Sequence, residues 1–152
     1  MKTLLPLLQL AEAERDRALA VWQATRDASR DAQSQFDQLL GYRREYEQRW
    51  QGQFSQQGQI ELVHCYQGFI LRLNQAIEHQ QAAVQLACTH LEAAGEQLRA
   101  REIRVVSVRK LIERRDSRAL LAEQRHEQKN SDEYAARRSL ENVSPGDLAS
   151  SY

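Results

Sequence analysis

Proline constrains this chain more than any other residue type. The two prolines are Pro6 and Pro145, so residues 7–144 contain none. Proline is the strongest helix breaker, because it lacks a backbone N–H and its ring clashes with the preceding turn. Alanine, glutamine, glutamate, arginine and leucine dominate the composition, as is usual for long helices and coiled coils. The sequence therefore predicts an all-α protein made of a few long helices.

Apolar side chains recur in alternating steps of four and three residues, which is the spacing of the interface face of a coiled-coil helix. In the first arm of the chain many of these positions hold small residues, which predicts a narrow interface. In the second arm fourteen of seventeen positions are apolar, and a seven-residue repeat of that length predicts left-handed supercoiling against a partner helix. The repeat positions of the first arm are Leu4, Leu8, Ala11, Arg15, Ala18, Trp22, Thr25, Ser29, Ala32, Phe36, Leu39, Arg43, Tyr46 and Trp50. Those of the second arm are Tyr66, Ile70, Leu73, Ile77, Gln80, Val84, Ala87, Leu91, Ala94, Leu98, Arg101, Val105, Val108, Ile112, Arg115, Ala119 and Ala122.

The two arms are separated by a polar break at residues 51–59, where Gly52 and Gly58 lie among glutamines. Glycines close together in a polar segment mark a turn. The chain is therefore predicted to reverse direction here and to form a long antiparallel two-helix coiled-coil hairpin.

A reversal near residue 57 also fixes the expected pairing. Residues opposite each other should have numbers that sum to roughly 114 to 116, so Leu4 should lie opposite about Ile112. The chain beyond Ile112 is then an overhanging C-terminal helix, and a single helix normally awaits a partner because propensity alone stabilises it little. The predicted bounds are residues 1–141 for a single hairpin, about 3–51 for helix 1, about 52–59 for the turn, about 60–140 for helix 2 and 142–152 for a disordered tail.

Charge is unevenly distributed along a chain whose formal net charge is zero. Residues 99–118 hold eight basic and three acidic groups. Such a run is usually a solvated face or a docking surface for an acidic protein. Binding of nucleic acid is a minority alternative, because the sequence has no recognisable nucleic-acid-binding module, and salt-dependent retention on DNA would reveal it. The basic residues are Arg99, Arg101, Arg104, Arg109, Lys110, Arg114, Arg115 and Arg118.

The sequence predicts no catalytic, cofactor or metal site. It has no glycine-rich phosphate loop, nucleophile elbow or Cys-x-x-Cys motif. Glu61 with His64 and Glu123 with His126 have the spacing used in di-iron bundles, but both pairs lie on one predicted helix and cannot converge within a chain. We expect a protein that is not an enzyme and that takes no small-molecule substrate.

The expected location is the cytoplasm. With Lys2 and several leucines among its first ten residues, the N-terminus imitates a secretory signal, but it is short and Gln9 interrupts its apolar run. We interpret it as the first turns of a helix. No apolar stretch approaches the roughly 18 residues of a membrane span. Cys65 and Cys88 are predicted to be too far apart on one helix to form a disulfide, which fits a reducing compartment.

Aromatic and apolar residues cluster on both sides of the predicted turn. Tyr42 and Tyr46 precede it, while Phe69 and Leu73 follow it, each pair four residues apart. The interface of a two-helix coil takes only two positions of each seven, so some of these side chains should be partly exposed. An exposed apolar patch usually marks a protein interface, and we interpret the cluster as a binding surface rather than as plain core.

Three stretches carry a more specific pattern. They are Leu39-Leu40-x-Tyr42-x-x-Glu45-Tyr46, then Tyr66-Gln67-x-Phe69-Ile70-x-x-Leu73-x-x-Ala76-Ile77-Glu78, and later Leu120-Leu121-Ala122-Glu123-x-Arg125-x-x-Gln128-Lys129 followed by Asp132-Glu133-Tyr134-Ala135. In order and spacing these stretches resemble the FliJ family, the small coiled-coil proteins of the bacterial flagellar type III export apparatus. The similarity extends over nearly the whole chain.

The resemblance implies a fold similar to the stalk (gamma) subunit of F-type ATPases. It also implies that the open end of the hairpin enters the ring of the hexameric export ATPase FliI, and that the surface near the turn binds the export gate protein FlhA. A link to export chaperones is implied, as is a peripheral position at the cytoplasmic face of the inner membrane through the export apparatus.

The resemblance also implies two sets of site residues. A histidine found in this region of the family has no safe counterpart here, because Gln80 occupies its register and His79 precedes it. The implied export-gate set is Gln35, Leu39, Tyr42, Tyr46, Phe69, Leu73 and Ala76. The implied ATPase-ring set is Leu4, Leu8, Arg115, Leu121, Glu123 and Arg125.

Two alternatives stay open at this point. A stalk protein of a non-flagellar type III secretion injectisome would share the architecture and differ in its partners. In a homodimeric structural coiled coil, residues 51–59 would be only a kink, and each chain would run on to meet its copy.

Overall fold

The protein is an α-helical hairpin. The computed structural model describes residues 4–54 and 60–143. Helix α1 spans Leu4–Arg49, a π-helical turn continues it over Trp50–Phe54, and helix α2 spans Ile60–Asn142. The two helices pack against each other, and the described ranges contain no strand. The predicted coiled-coil hairpin is thus confirmed, and the alternative of an uninterrupted rod with a mere kink is wrong.

Two predicted segments fall outside the described ranges. They are residues 55–59, which complete the predicted turn, and residues 144–152, which make up most of the predicted tail. The chain divides into two compact units. We call Gln9–Val105 the main unit, and Met1–Leu8 with Val106–Tyr152 the terminal unit.

The main unit is held together by the predicted repeat. Every repeat position from Ala11 to Val105 is buried or half-buried except Tyr46, which is 37% exposed. Small residues allow close approach of the helices: the indole of Trp22 lies beside Gly95, where an added Cβ would be 3.7 Å from the indole nitrogen. The buried positions of this unit are Ala11, Leu73, Ile77, Ala94 and Val105.

Cross-helix contacts in the main unit fix the register. They include two stacked aromatic pairs, a side-chain hydrogen bond and an ion pair in which the two residue numbers sum to 115 or 116. Two further cross-helix hydrogen bonds, from Arg43 to Asn74 and from Gln80 to the Ala32 carbonyl, have residue numbers that sum to 117 and 112. This register agrees with the predicted reversal near residue 57. The pairs are Tyr46 with Phe69, Trp50 with Tyr66, Gln35 with Gln80, and Glu14 with Arg101.

The terminal unit combines the start of α1 with the second half of α2. Leu4 and Leu5 lie beside Ile112, Arg115 and Asp116 around a small pocket of about 60 Å³. Pro6 is tolerated in the first turn of α1 because N–H groups there have no partner within the helix.

Packing within the terminal unit stops soon after Ile112. Ile112 is half-buried, whereas every residue of 113–143 is exposed. The last three repeat positions of the second arm, Arg115, Ala119 and Ala122, are therefore not covered by α1. The predicted overhang of α2 is present in this unit.

Candidate protein-interaction surfaces

The first candidate surface lies in the main unit near the end of α1. Tyr46 and Phe69 stack with ring centroids 4.2 Å apart and planes inclined by 26°. Each of these residues is nevertheless 37% exposed, and Tyr42 is 56% exposed. We call Tyr42, Tyr46 and Phe69 the aromatic surface. Tyr46 and Phe69 therefore join the helices and also remain partly exposed, and the interpretation of this cluster as a binding surface stays a prediction.

An apolar cleft adjoins the aromatic surface. Trp50 and Tyr66 stack at 4.1 Å with an interplanar angle of 13°. Burial, followed by the negative charge of Glu47, raises the pKa of the Tyr66 hydroxyl above 10.0. The cleft has a volume of about 170 Å³ and is lined by Tyr46, Trp50, Leu62, Cys65, Tyr66 and Phe69.

The other members of the predicted export-gate set have different surroundings. Gln35 and Ala76 are exposed, and Leu39 is half-buried. Leu73 is only 9% exposed and lies in the helix interface. Leu73 can therefore support the aromatic surface from beneath but offers a partner little area.

Gln80 and His79 differ clearly in their contacts. The Gln80 amide donates from Nε2 to the Ala32 carbonyl at 2.9 Å and to Gln35 Oε1 at 3.3 Å. Gln80 is half-buried between the helices, whereas His79 is exposed. Gln80, which occupies the register of the family's histidine, therefore links α2 to α1 and hydrogen-bonds the exposed Gln35 side chain.

The second candidate surface is the exposed part of α2 in the terminal unit. Leu121 is 53% exposed; Arg115, Glu123 and Arg125 are also exposed. Leu4 and Leu8, the remaining members of the predicted ATPase-ring set, are half-buried. We call residues 113–143 the C-terminal helix surface. Its exposed large apolar side chains are Leu120, Leu121, Tyr134, Leu140 and Val143.

Arg101, a member of the predicted basic segment, has a structural partner on α1. Arg101 donates from a guanidinium nitrogen to Glu14 Oε2 at 3.0 Å, and both side chains are partly covered. This pair borders an open groove of about 660 Å³ on the main unit. Arg101 therefore contributes to the helix interface as well as to the charge of residues 99–118.

Leu62 and Cys65 were not singled out as site residues from the sequence. They lie one helical turn before Tyr66 and Phe69 on α2. That spacing is the only feature of the sequence that indicates they share a face with these aromatic residues. A turn of π-helix at Trp50–Phe54 ends the regular repeat on α1. The seven-residue repeat therefore could not indicate which residues of α2 would line a cleft beside Trp50.

In the described ranges, no helix is apolar over enough of its length to cross a membrane. What the fold does offer is a two-helix hairpin with an aromatic surface in one unit and an exposed helix in the other. These features define a class of coiled-coil proteins whose surfaces are suited to binding other proteins.

Comparison with known proteins identifies the family within this class. Residues 1–144 match the model of the family described as "Flagellar FliJ protein". A relative of that name from Salmonella typhi is 29% identical over 134 residues, which cover 88% of this chain and 91% of the relative. The chain belongs to the FliJ family and is a component of the flagellar export apparatus.

Proposed function

We propose that the protein is a non-catalytic coupling component of the flagellar type III export apparatus. In this role it binds the hexameric export ATPase through the terminal unit and the export gate protein through the main unit. The observation that carries the proposal is the exposure of every residue of α2 from Glu113 to Asn142, within a chain of the FliJ family. A helix of this length normally needs tertiary packing to be stable, so a binding partner for it is expected.

The ATPase ring is the proposed partner of the C-terminal helix surface. Leu121 supplies apolar area, while Arg115, Glu123 and Arg125 supply charges that can pair across an interface. Leu4 and Leu8 hold the start of α1 in the same unit. The protein promotes ring assembly and activity by binding the assembled or active conformation more tightly than the alternatives, because a ligand shifts an equilibrium only by its differential affinity.

The gate protein is the proposed partner of the aromatic surface. Tyrosine and phenylalanine bring large area with few rotatable bonds, which suits them as interface anchors. Tyr42, Tyr46 and Phe69 provide this area, and Leu39 and Leu73 support it from the helix interface. Gln35 and Ala76 add exposed positions two helical turns away along α1 and α2. Binding of export chaperones and a peripheral position at the cytoplasmic face of the inner membrane complete the proposal.

The ATPase half of the proposal is tested by adding the protein to its cognate export ATPase. We expect the rate of ATP hydrolysis and the hexamer fraction to rise. Leu121→Ala with Arg125→Ala should weaken this activation about tenfold, because buried interface anchors carry most of the binding energy. Hydrolysis rate and sedimentation measure the two effects.

The matched control for that experiment is Leu86→Ala, since Leu86 is exposed to a similar degree (58%) but lies in the main unit. It should activate like the unmodified chain. Absence of any rise in either hydrolysis or hexamer content with the unmodified chain would contradict the proposed ATPase role. An injectisome partner is the second candidate, and the family match to flagellar proteins argues against it.

A further inference from the structure

The C-terminal helix surface carries a pattern that the proposed function does not use. When the steps of four and three are continued beyond Ala122, the two central positions hold charged residues, Lys129 and Glu133. The positions on either side include alanine and leucine. Along the described helix, Lys129 and Glu133 form no salt bridge with each other even though they are four residues apart. The continued positions are Ala122, His126, Lys129, Glu133, Ala136 and Leu140.

Pairing of this helix with a second copy depends strongly on direction. In a parallel pair each repeat position meets itself, so Lys129 would face Lys129 and Glu133 would face Glu133 of the second copy. Like charges at the centre of an interface are destabilising. In an antiparallel pair Lys129 can instead face Glu133 of the second copy. By two-fold symmetry Glu133 then also faces Lys129 of the second copy, so the favourable contact occurs twice.

The same antiparallel register also matches side-chain sizes. It places Ala122 opposite Leu140 of the second copy and His126 opposite Ala136, so small residues face larger ones in each layer. Sliding the copies by one heptad in either direction loses these matches, because Lys129 then faces either His126 or Leu140.

Charges beside the interface agree with this register on one flank. Glu123 lies next to Arg137 of the second copy, again twice by symmetry. On the other flank Asp132 lies next to its own counterpart, which is a single unfavourable contact at an exposed position. Four complementary charge contacts therefore oppose one repulsive contact.

The length of the exposed helix accommodates such a pair. In this register the end of the second copy's helix, Asn142, lies opposite Leu120. Leu4 and Leu5 lie beside Ile112, Arg115 and Asp116 of α2. The helix of the second copy therefore ends about one helical turn short of these residues.

We propose that two copies of this protein associate through their C-terminal helices, antiparallel and centred on Ser131. The occupant of this exposed face is thus a second copy of the chain. The pairing covers Glu123 and places Arg125 at its edge, so it competes with any other protein that binds the C-terminal helix surface. It does not rest on the identity of the ATPase or gate partner.

Charge exchange on the full-length chain tests the proposal. Sedimentation equilibrium is measured up to about 1 mM, a concentration that detects even weak association. The unmodified chain should approach the mass of two chains. Lys129→Glu and Glu133→Lys should each weaken association about tenfold, because each turns two attractive contacts into repulsive ones. The double variant should restore it.

Several outcomes would overturn the proposal. They are the mass of one chain at every concentration, association that Lys129→Glu leaves unchanged, and a double variant that stays as weak as the single variants. Far-UV circular dichroism shows whether each variant keeps the hairpin, and this is expected because residues 129 and 133 are exposed.

Disulfide trapping tests the direction independently. Cys65 and Cys88 are free thiols and are first replaced by serine. In that background Ala122→Cys with Leu140→Cys should give a covalent dimer under mild oxidation, whereas Ala122→Cys alone should not. The opposite result, trapping by Ala122→Cys alone, would indicate parallel pairing and overturn the proposed arrangement.

Discussion

Tyr46 and Phe69 each contribute both to packing between the helices and to the exposed surface. Their stacked rings connect α1 to α2, yet each residue is 37% exposed. Leu73, four residues after Phe69, is buried in the helix interface instead. Neighbouring members of the same sequence cluster thus have separate roles in packing and in exposure.

Removal of the exposed aromatic area should affect binding more than folding. Tyr42→Ala with Phe69→Ala is expected to leave far-UV helicity nearly unchanged, because neither residue is buried. Binding to the gate protein should weaken about tenfold or more, as for anchor residues of an interface. Titration calorimetry with the isolated gate domain measures the affinity, with Leu86→Ala as the control, because Leu86 is about as exposed as Tyr42. Global unfolding of the double variant would instead show that the rings are mainly core.

Tyr66 should ionise at a higher pH than a fully solvated tyrosine. Its pKa is raised first by burial and then by Glu47, so the neutral hydroxyl is favoured in the folded chain. The associated stability is present below pH 10.0, the unperturbed value, and is lost as pH rises through the higher folded-state pKa. Tyr66→Phe should remove one transition above pH 10.0 from an ultraviolet titration of tyrosinate. A titration curve that keeps this transition in Tyr66→Phe would contradict the assignment.

The pairing of these aromatic residues could be predicted from the sequence, as could the partial exposure of some of them. The heptad spacing and a reversal near residue 57 together fix which residues of α1 and α2 meet. The repeat places Leu73 in the interface and Phe69 beside it, but the spacing does not decide how much of Phe69 remains exposed, because residues four apart lie on the same side of a helix. The contacts of Gln80 also required the structure, since a polar residue at a repeat position can either pair across the interface or disrupt it.

Helix α2 is the element in which packing changes most. Its repeat positions are covered as far as Ile112, and the helix then continues to Asn142 with every residue exposed. This change was predictable, because the number of residues in α1 limits how much of α2 it can cover. The π-helical turn at Trp50–Phe54 was not predictable, because a local change in backbone hydrogen bonding leaves no trace in a heptad pattern.

Hydrogen exchange should separate the two parts of α2. In dilute protein, amides of residues 113–143 should exchange faster by at least about tenfold than those of 73–105, since an uncovered helix opens locally at low free-energy cost. Mass spectrometry of peptides from each part measures the rates. Equal protection at a concentration where sedimentation shows a single chain would contradict the absence of packing on the C-terminal helix surface.

At the scale of the whole molecule, the two proposed binding surfaces belong to different compact units. The aromatic surface lies within Gln9–Val105, and the C-terminal helix surface lies within the unit that contains Val106–Tyr152. Variants on one surface should therefore leave the other intact, since contributions of distant sites without shared contacts are usually additive. This independence distinguishes a coupling protein from one that uses a single surface for alternative partners.

Simultaneous binding of both partners tests the central claim most directly. The gate protein's cytoplasmic domain is immobilised, this protein is added, and retention of the export ATPase is measured by surface plasmon resonance. We predict that the ATPase is retained only when this protein is present. The variant Leu121→Ala with Arg125→Ala should still bind the gate domain but should no longer retain the ATPase. With Tyr42→Ala and Phe69→Ala, neither this protein nor the ATPase should be retained on the gate domain. Displacement of this protein from the gate domain by the ATPase would show that the partners compete, and would contradict the account.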